Sequence, residues 1–194
     1  MIDKEFSDHK QHALAKLDRA MKDHQVDTLV IPILEKINAT KEYFTTSSCA
    51  GRIVVLQLPE IGNKKKAVFL GRWHRKVSCE EVFFALDSYT EGQVWLLTQP
   101  PIFHIGCQSI TAANELMKIG ISSGFKHSGI RSISSQITVE LQSTERMDMP
   151  IGANGKQIIE NEKISFLVDQ ANISIVRAQK KLNRLQKNIE KLIG

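Results

Sequence analysis

The chain has 194 residues, of which 42% are hydrophobic and 24% are charged, so we expect a folded domain with its own core rather than a disordered chain. The net charge of +5, from 26 Lys and Arg against 21 Asp and Glu, permits a polyanionic partner without proving one. No apolar run approaches the length of a membrane span, and the first residues lack the apolar core of a signal peptide, so no membrane contact is expected.

Two helices are predicted at the start of the chain. Residues 3–22 place their apolar side chains on one helical stripe, which is typical of an amphipathic surface helix. Residues 28–38 form the second helix, with Asp27 as a candidate N-cap. Pro32 lies far inside this segment, so the helix either starts late or kinks there. The side chains expected to face inward are Leu29, Ile33, Leu34 and Ile37.

Strands follow, because YFTTSS and RIVVLQL are rich in β-branched and aromatic residues and are separated by Ala50 and Gly51. Residues 66–73 form the next strand, and the turn signal at 59–63 makes this pair a hairpin. A capping box that begins at Ser78 opens a helix. The remaining elements before the last helix are two strands within 93–107, a helix over 109–122, the loop GFKHSGI, a strand over 136–141 and an extended piece through 147–150.

The C-terminal thirty or so residues carry the clearest pattern, a heptad seam with alternating steps of four and three. It predicts one long helix at about 161–193. The seam can pack within the chain or on a second copy, and we favour the former because the N-terminal helix also needs a partner. Oligomerisation through this helix is therefore not favoured. The seam consists of Ile164, Val168, Ala171, Ile175, Ala178, Leu182, Leu185, Ile189 and Leu192.

This order of elements predicts an α+β fold with a mixed or antiparallel sheet, flanking helices and a long C-terminal helix, in a single domain over residues 1–194. The sequence contains neither GxGxxG nor GxxxxGK[ST], so a nucleotide or adenosyl cofactor would be held by another geometry. No metal site is expected, since the histidine pair at positions 9 and 12 lacks further ligands. The three cysteines fit neither a disulfide framework nor a zinc knuckle, which favours a reducing, cytoplasmic compartment.

Residues 45–52 combine four hydroxyl side chains, a glycine turn and Arg52, which together outline an anion site. The alternative is a hairpin turn whose serines bond their own backbone. The loop over 124–129 repeats the combination of glycine, serine and basic groups. His104 follows a Pro-Pro pair in an apolar strand, where it is either a hydrogen-bonded core residue or a base.

Trp73 lies within a basic run and combines a stacking plane with positive charge, the combination that binds unstacked bases. The alternative for such a run is a solvated surface.

Four stretches carry a family resemblance: FTTSSCAGRI, FHIGC, GFKHSGI and VELQSTERMDMPIG. In this order and at these intervals they resemble the tRNA wybutosine-synthesising protein 3 family of archaea and eukaryotes. The resemblance extends from Tyr43 through the terminal helix, and the N-terminal region is less distinctive. The short length and the lack of long acidic loops are more similar to archaeal members.

The resemblance implies an α+β fold unlike the Rossmann methyltransferases and an enzyme that uses S-adenosylmethionine. It implies methylation of the N-4 position of the tricyclic demethylwyosine-derived base of tRNA-Phe, in the anticodon loop. The alternative is a non-catalytic RNA-binding protein that grips this loop. Binding of the adenosyl cofactor distinguishes the two, because a protein that only binds RNA has no reason to bind it.

The positions that match the family's motifs are Ser47, Ser48, Cys49, Gly51, Arg52, His104, Ser128 and Gly129. The roles given to residues here are inferred from the chemistry of methyl transfer and RNA binding. His104 is expected to be the proton acceptor, with Glu140 as the alternative. Cys49 is expected to have a packing role, because transfer to nitrogen needs no covalent adduct with the base. The residues expected to bind the cofactor are Ser47, Ser48, Cys49, Gly51, Arg52, Ser128 and Gly129. The residues expected to contact RNA are Arg72, Trp73, His74, Arg75 and Lys126.

Overall fold

The structure, a computed structural model of the chain, describes residues 2–60 and 64–192. The helices are α1 (Ile2–Lys22), α2 (Ile31–Ala39), α3 (Cys79–Leu86), α4 (Ile110–Ser123) and α5 (Asn161–Ile189), with short 3-10 turns at Lys64–Lys66 and Glu190–Leu192. The strands are β1 (Tyr43–Cys49), β2 (Arg52–Leu58), β3 (Val68–Trp73), β4 (Gln93–Gln99), β5 (Ile102–Cys107), β6 (Gly129–Ser132), β7 (Ile137–Gln142), β8 (Met147–Ala153) and β9 (Lys156–Gln157). Part of the predicted turn at 59–63, residues 61–63, lies outside the described residues.

The chain divides into two compact units. The first unit comprises residues 1–50, 101–144 and 179–194, and the second unit comprises residues 51–100 and 145–178. Each unit has its own antiparallel sheet and its own hydrophobic core. The prediction of an α+β fold is confirmed, although the strands form two sheets where one was expected. The prediction of a single folding domain stays a prediction.

The first unit contains a four-stranded sheet in the order β1-β5-β7-β6, with every pair antiparallel. One face of this sheet packs against α2, α4 and the last turns of α5, burying an aliphatic and aromatic core. On the opposite face, the ring of Phe6 in α1 packs edge-on against Phe44 of β1, with ring centroids 5.2 Å apart. Thus α1 covers the opposite face at one end of β1.

The second unit contains a five-stranded antiparallel sheet in the order β3-β2-β4-β8-β9. One face packs against α3 and the first half of α5. The predicted capping box of α3 is confirmed, since Ser78 Oγ accepts a hydrogen bond from the Glu81 amide and Glu81 accepts one from the Ser78 amide. The predicted β2–β3 hairpin pairing is confirmed.

The late start expected for the second helix is confirmed, whereas the predicted N-cap and the inward-facing Leu29 were wrong. Helix α2 begins late, at Ile31, so Pro32 lies in its first turn, where the missing amide costs nothing. Asp27 is consequently not the N-cap of α2, and its carboxylate instead accepts a hydrogen bond from the Ala50 amide at 2.7 Å. Leu29 lies before the helix and its side chain is 45% exposed rather than facing inward.

The predicted terminal helix is confirmed as α5, and its seam is buried within the chain from Ile164 to Ile189. Its first half belongs to the core of the second unit and its last turns belong to the core of the first. Among the described helices, none combines the length and the apolar character that crossing a membrane requires.

Candidate active site

A row of paired residues crosses the sheet of the first unit. Ser47 of β1 pairs with His104 of β5, His104 pairs with Glu140 of β7, and Glu140 pairs with Gly129 of β6. Residues paired across antiparallel strands share one face of the sheet. Phe103, the neighbour of His104 in β5, points to the other face and is buried in the core. The row therefore lies on the face that is turned away from the core.

Three members of this row form a hydrogen-bonded chain. Ser47 Oγ lies 2.8 Å from His104 Nδ1, and His104 Nε2 lies 2.9 Å from Glu140 Oε2. An ionised carboxylate only accepts hydrogen bonds, so we assign the imidazole proton to Nε2, which donates to Glu140. Nδ1 is then the acceptor for the Ser47 hydroxyl. Ser47 is exposed, whereas the side chains of His104 and Glu140 are 31% and 14% exposed, so the chain leads from solvent into the sheet.

A β-bulge in β1 turns Ser47 toward His104. The register shifts between Thr45, which pairs with Ile105, and Ser47, which pairs with His104. Without this register shift, Thr46 would pair with His104 and Ser47 would pair with Phe103 on the core face of the sheet. Thr46 Oγ1 donates to the His104 carbonyl at 3.2 Å, which fixes the bulge on β5.

Asn38 of α2 holds the strand just before the bulge. Its side-chain oxygen accepts from the Thr45 amide at 2.8 Å, and its side-chain nitrogen donates to Thr45 Oγ1 at 2.9 Å. Thr45 is 4% exposed, so these bonds satisfy buried polar groups as well as fixing the register. The sequence analysis missed Asn38, because its role in holding Thr45 beside the bulge depends on the tertiary structure.

The other end of the row is open. A Cβ atom built on Gly129 would meet no atom within 4 Å. Arg131, two residues further along β6, places its Nε 3.4 Å from Glu140 Oε2, and its side chain is 64% exposed. Sequence reasoning missed Arg131 as well, although it follows Gly129 closely in the GFKHSGIR stretch. An exposed guanidinium thus lies beside free space and the last carboxylate of the hydrogen-bonded chain.

The loop before β6 is closed by its own bonds. Gly124 ends α4 in the left-handed region, with φ of 100°, and the side chain of Phe125 is buried. Ser128 Oγ donates to the Phe125 carbonyl at 2.5 Å, so this hydroxyl stabilises the loop itself. Lys126 is exposed. Of the loop residues predicted to bind the cofactor, only Gly129 joins the row.

The predicted anion site at residues 45–52 is divided by the structure. Ser48 pairs with Phe103, a core residue, so strand alternation places Ser47 and Ser48 on opposite faces of the sheet. Cys49 pairs with Ile102 and shares the face of Ser47. The hairpin alternative for this stretch is wrong, because β1 and β2 belong to different sheets.

Gly51 and Arg52 belong to the second unit. Gly51 has φ of 86°, a conformation in which glycine is favoured. Arg52 Nε donates to Gln99 Oε1 at 2.5 Å, and its guanidinium carbon lies 5.6 Å from the centre of the Phe69 ring. Arg72 of β3 contacts the same ring from 5.7 Å and is exposed. These two arginines therefore flank one aromatic ring.

Two other predicted RNA contacts of the second unit, Trp73 and Arg75, already contact residues of their own unit. Trp73 pairs with Ile53 and packs against the core, and its indole occupies the space over Gly71. The guanidinium of Arg75 forms a two-bond pair with Glu81, with nitrogen to oxygen distances of 3.0 and 2.7 Å. Hydrogen bonds from Arg75 and from the Ser78 amide lower the pKa of Glu81 to about 2. His74 is half-buried.

The side chains of the row are of the kinds that enzymes use for proton transfer. A hydroxyl, an imidazole and a carboxylate in hydrogen-bonding sequence, beside open space on a sheet, can move a proton away from a bound group. The sequence pattern of the family described as Methyltransferase TYW3 matches residues 8–191. The chain belongs to this methyltransferase family, as the resemblance of its four motifs predicted.

Named relatives extend this finding. A protein of Thermococcus kodakarensis is 44% identical over 188 residues, which cover 96% of this chain and 95% of the relative. A protein of Methanocaldococcus jannaschii is 37% identical over 189 residues, covering 96% and 98% of the two chains. The first is named tRNA(Phe) 7-((3-amino-3-carboxypropyl)-4-demethylwyosine(37)-N(4))-methyltransferase 1, and the second carries the same name without the final number.

Solved structures share the fold. The PH1069 protein from Pyrococcus horikoshii superposes with a TM-score of 0.93 at 42% identity, covering 97% of this chain and 98% of that one. A hypothetical protein from Aeropyrum pernix superposes with a TM-score of 0.75 at 27% identity, covering 86% and 99%. The whole described fold is therefore that of the family.

Proposed function

We propose that this protein transfers a methyl group from S-adenosylmethionine to N-4 of the 7-(3-amino-3-carboxypropyl)-4-demethylwyosine base at position 37 of tRNA-Phe, in the anticodon loop. The names of the relatives give this base, position and atom for those proteins. The observation that carries the proposal is the hydrogen-bonded chain of Ser47, His104 and Glu140 on the open face of the first sheet.

The chemistry of N-methylation fits this chain of residues. The ring nitrogen must lose its proton as the bond to the methyl carbon forms, and the reacting groups must be held in line. Both nitrogens of His104 already have partners, so the proton passes to Ser47 Oγ while the Ser47 proton moves to His104 Nδ1. Glu140 then stabilises the imidazolium. Ser47 thereby joins His104 in the acceptor role, and Glu140 supports it.

The cofactor, when bound, supplies an electrophilic methyl group. In the first unit, the free space over Gly129 and the exposed guanidinium of Arg131 fit a ligand that carries a carboxylate. Ser47 and Cys49 face the same side of the sheet as this space. The expected roles of Ser48, Ser128, Gly51 and Arg52 in cofactor binding stay proposals, and the Ser128 hydroxyl is already used by its own loop.

The expected partner and compartment follow from the same reading. The exposed side chains of Arg72 and Lys126 are available to phosphate groups. The RNA contacts expected of Trp73, His74 and Arg75 stay predictions, and the packing of Trp73 against the core and the pairing of Arg75 with Glu81 disfavour two of them. All three cysteines are free, as expected in the cytoplasm. Burial of the α5 seam within the chain supports a monomer.

Two measurements test the proposal. Calorimetric titration with S-adenosylmethionine should show micromolar binding to the wild-type protein, and Arg131→Ala should weaken it. Single-turnover transfer to tRNA-Phe that lacks the N-4 methyl group should be fast in the wild type and slow in Ser47→Ala, with cofactor affinity retained. His24→Asn is the matched control, since His24 is exposed in a loop and Asn tolerates its positive φ of 53°.

The outcomes separate the two functions. No cofactor binding, even with tRNA present, would leave the non-catalytic RNA-binding alternative in place. Cofactor binding with transfer to a different base or atom would retain the methyltransferase and overturn the proposed substrate. Wild-type transfer by Ser47→Ala would remove the hydroxyl from the proton path.

A further inference from the structure

The sheet of the second unit has an outer face, opposite the core that α3 and α5 cover. Phe69 of β3 pairs with Leu56 of β2, and Leu56 pairs with Trp95 of β4. In the adjacent row Arg72 pairs with Val54. The core residues Ile53 and Val55 alternate with these residues along β2 and so point the other way. We call the surface formed by Arg52, Leu56, Phe69, Arg72 and Trp95 the Phe69 face.

The side chain of Phe69 is unusually exposed for an aromatic residue of a sheet. Its side chain is 49% exposed, and β3 is the edge strand of the sheet. Edge strands that expose large apolar groups risk aggregation, and natural sheets usually avoid such groups unless the surface has a use. Leu56 and Trp95, in the same row, are each only partly buried. The row thus places two aromatic rings, Phe69 and Trp95, on one face of the sheet.

The charges around this row are positive. The guanidinium carbons of Arg52 and Arg72 lie 5.6 and 5.7 Å from the centre of the Phe69 ring. Asp148 of β8 pairs in register with Leu97, and its carboxylate lies 2.7 Å from the guanidinium of Arg146. The Phe69 face therefore combines aromatic planes with two guanidinium groups, and strands β2 and β3 contain no acidic residue.

We propose that the Phe69 face binds the single-stranded part of the tRNA substrate, with an unpaired nucleobase stacked on Phe69 and flanking phosphates paired with Arg52 and Arg72. The inference rests on the proposed function for the identity of the RNA. Aromatic side chains on an open sheet, flanked by cations, are the arrangement by which proteins hold unstacked bases. The two arginines disfavour binding of a purely apolar protein surface, because such a surface would leave their charges unpaired. A protein partner would need neutral or acidic groups that face the arginines.

This proposal replaces Trp73 as the stacking residue. The two tryptophans lie on opposite faces of the sheet, since Trp73 pairs with Ile53 of the core row and Trp95 pairs with Leu56 of the outer row. Trp95 is also held in place, because its indole N–H donates to Gln93 Oε1 at 3.1 Å. The sequence analysis chose Trp73 because it lies in the basic run over 72–76. In the structure, strand alternation places Phe69 on the outer face of the sheet and Trp73 on the core face.

The test compares Phe69→Ala with Phe84→Ala in the full-length protein. Phe84 is a matched control, since it is 79% exposed on α3 in the same unit and lies outside the sheet. Phe69→Ala should raise the Kd for unmodified tRNA-Phe by roughly five- to hundredfold, the range expected for loss of one stacked base. Phe69→Tyr should restore binding. The single-turnover rate at saturating tRNA and the calorimetric affinity for S-adenosylmethionine should not change.

A second variant separates charge from stacking. Arg72→Ala should weaken binding and reduce the slope of log Kd against log salt by about 0.7, the amount for one phosphate of a single strand. Phe69→Ala should leave that slope unchanged. Each variant is first checked by thermal unfolding, and Phe69→Leu, which keeps the apolar volume, replaces any Phe69 variant that fails to fold.

Distinct results would overturn the proposal. Equal Kd values for Phe69→Ala and Phe84→Ala would remove the stacking role, whether or not the enzyme methylates tRNA. A change in sedimentation of Phe69→Ala with unchanged tRNA binding would assign the face to a second copy of the chain. Conversely, Phe69-dependent tRNA binding without any methyl transfer would keep this inference and overturn the proposed function.

Discussion

The two sheets leave different kinds of side chain on the faces that their cores do not use. In the first unit, the row of Ser47, His104 and Glu140 is linked by hydrogen bonds of 2.8 and 2.9 Å. In the second unit, the outer row contains Phe69 and Trp95, and no hydrogen bond links one of these side chains to the other. Hydrogen bonds fix the positions of reacting groups, whereas aromatic and guanidinium groups attract a ligand without demanding one geometry.

The difference indicates a division of labour between the two surfaces. A base that loses a proton must be placed within a fraction of an ångström, and a hydrogen-bonded row fixes its members to that degree. A flexible RNA strand needs binding energy that tolerates variation in its path, and exposed stacking surfaces supply it. We therefore expect substitutions in the first row to change rate constants and substitutions on the Phe69 face to change affinity.

The largest effect is expected for His104→Ala. Removing a general base typically slows the chemical step by about 10²- to 10⁴-fold, and the single-turnover rate at saturating tRNA should fall by that amount. The Kd for tRNA should stay near the wild-type value, because the Phe69 face is unchanged. A variant that loses affinity while keeping its rate would break the contrast between the two surfaces.

The second effect concerns the independence of the two units. Leu141 is fully buried in the first unit, and Leu141→Ala should lower the free energy of unfolding by about 2–5 kcal/mol. Both tryptophans, Trp73 and Trp95, belong to the second unit, so tryptophan fluorescence follows that unit alone. If the chain is one cooperative domain, as we propose, fluorescence and far-UV circular dichroism will show the same lowered midpoint.

The control for this experiment is Ile164→Ala in the core of the second unit, which should lower the fluorescence midpoint whether or not the two units unfold together. A Leu141→Ala protein whose fluorescence midpoint equals that of the wild type would show two independently unfolding units. The rate and affinity effects of the two surfaces would then belong to separate domains.

The third effect tests the open end of the row. Gly129→Val adds a β-branched side chain where a Cβ meets no atom within 4 Å, so the fold should tolerate it. If the cofactor occupies this space, the added methyl groups should weaken its calorimetric affinity about tenfold or more, because overpacking typically costs about 1–3 kcal/mol. Gly106→Ala is the contrasting control, since its Cβ would lie 2.4 Å from the Phe44 ring and should reduce stability instead. Unchanged cofactor affinity in Gly129→Val would place the cofactor elsewhere.

The sequence was sufficient for the elements that depend on local patterns. The heptad seam predicted α5, the capping box predicted α3, and the Pro-Pro pair separated β4 from β5. Each of these signals acts between residues that are neighbours in the chain, so no knowledge of the tertiary structure was needed.

The sequence was less informative about which residues meet. It grouped Ser47 with Ser48 because they are adjacent, whereas the pleat separates adjacent residues and the bulge at Thr46 decides which of them faces His104. It chose Trp73 for its position in a basic run, and the register with β2 gives the exposed position to Phe69. Pairing register is set by tertiary contacts such as those of Asn38, and such contacts leave no periodic signal in the chain.

The smallest effect distinguishes two arginines of the second unit. Arg75 is bound to Glu81 by two hydrogen bonds at the start of α3, whereas Arg72 lies on the Phe69 face. These bonds, together with one from the Ser78 amide, lower the pKa of Glu81 from 4.5 to about 2. Because the pKa of Glu81 is lower in the folded state, its ionised carboxylate stabilises the protein at pH values above about 4.5. This stabilisation is lost as the pH falls from about 4.5 toward about 2.

Glu81→Gln should therefore lower the unfolding midpoint slightly at neutral pH, and its difference from the wild type should shrink on acidification through that window. The effect is small because the pair is exposed and screened by solvent. Arg75→Ala should behave similarly and should leave the salt dependence of tRNA binding unchanged, in contrast to Arg72→Ala. If Arg75→Ala instead reduced the salt slope as Arg72→Ala does, the RNA surface would extend beyond the Phe69 face to α3, because the guanidinium would have to leave Glu81 for a phosphate.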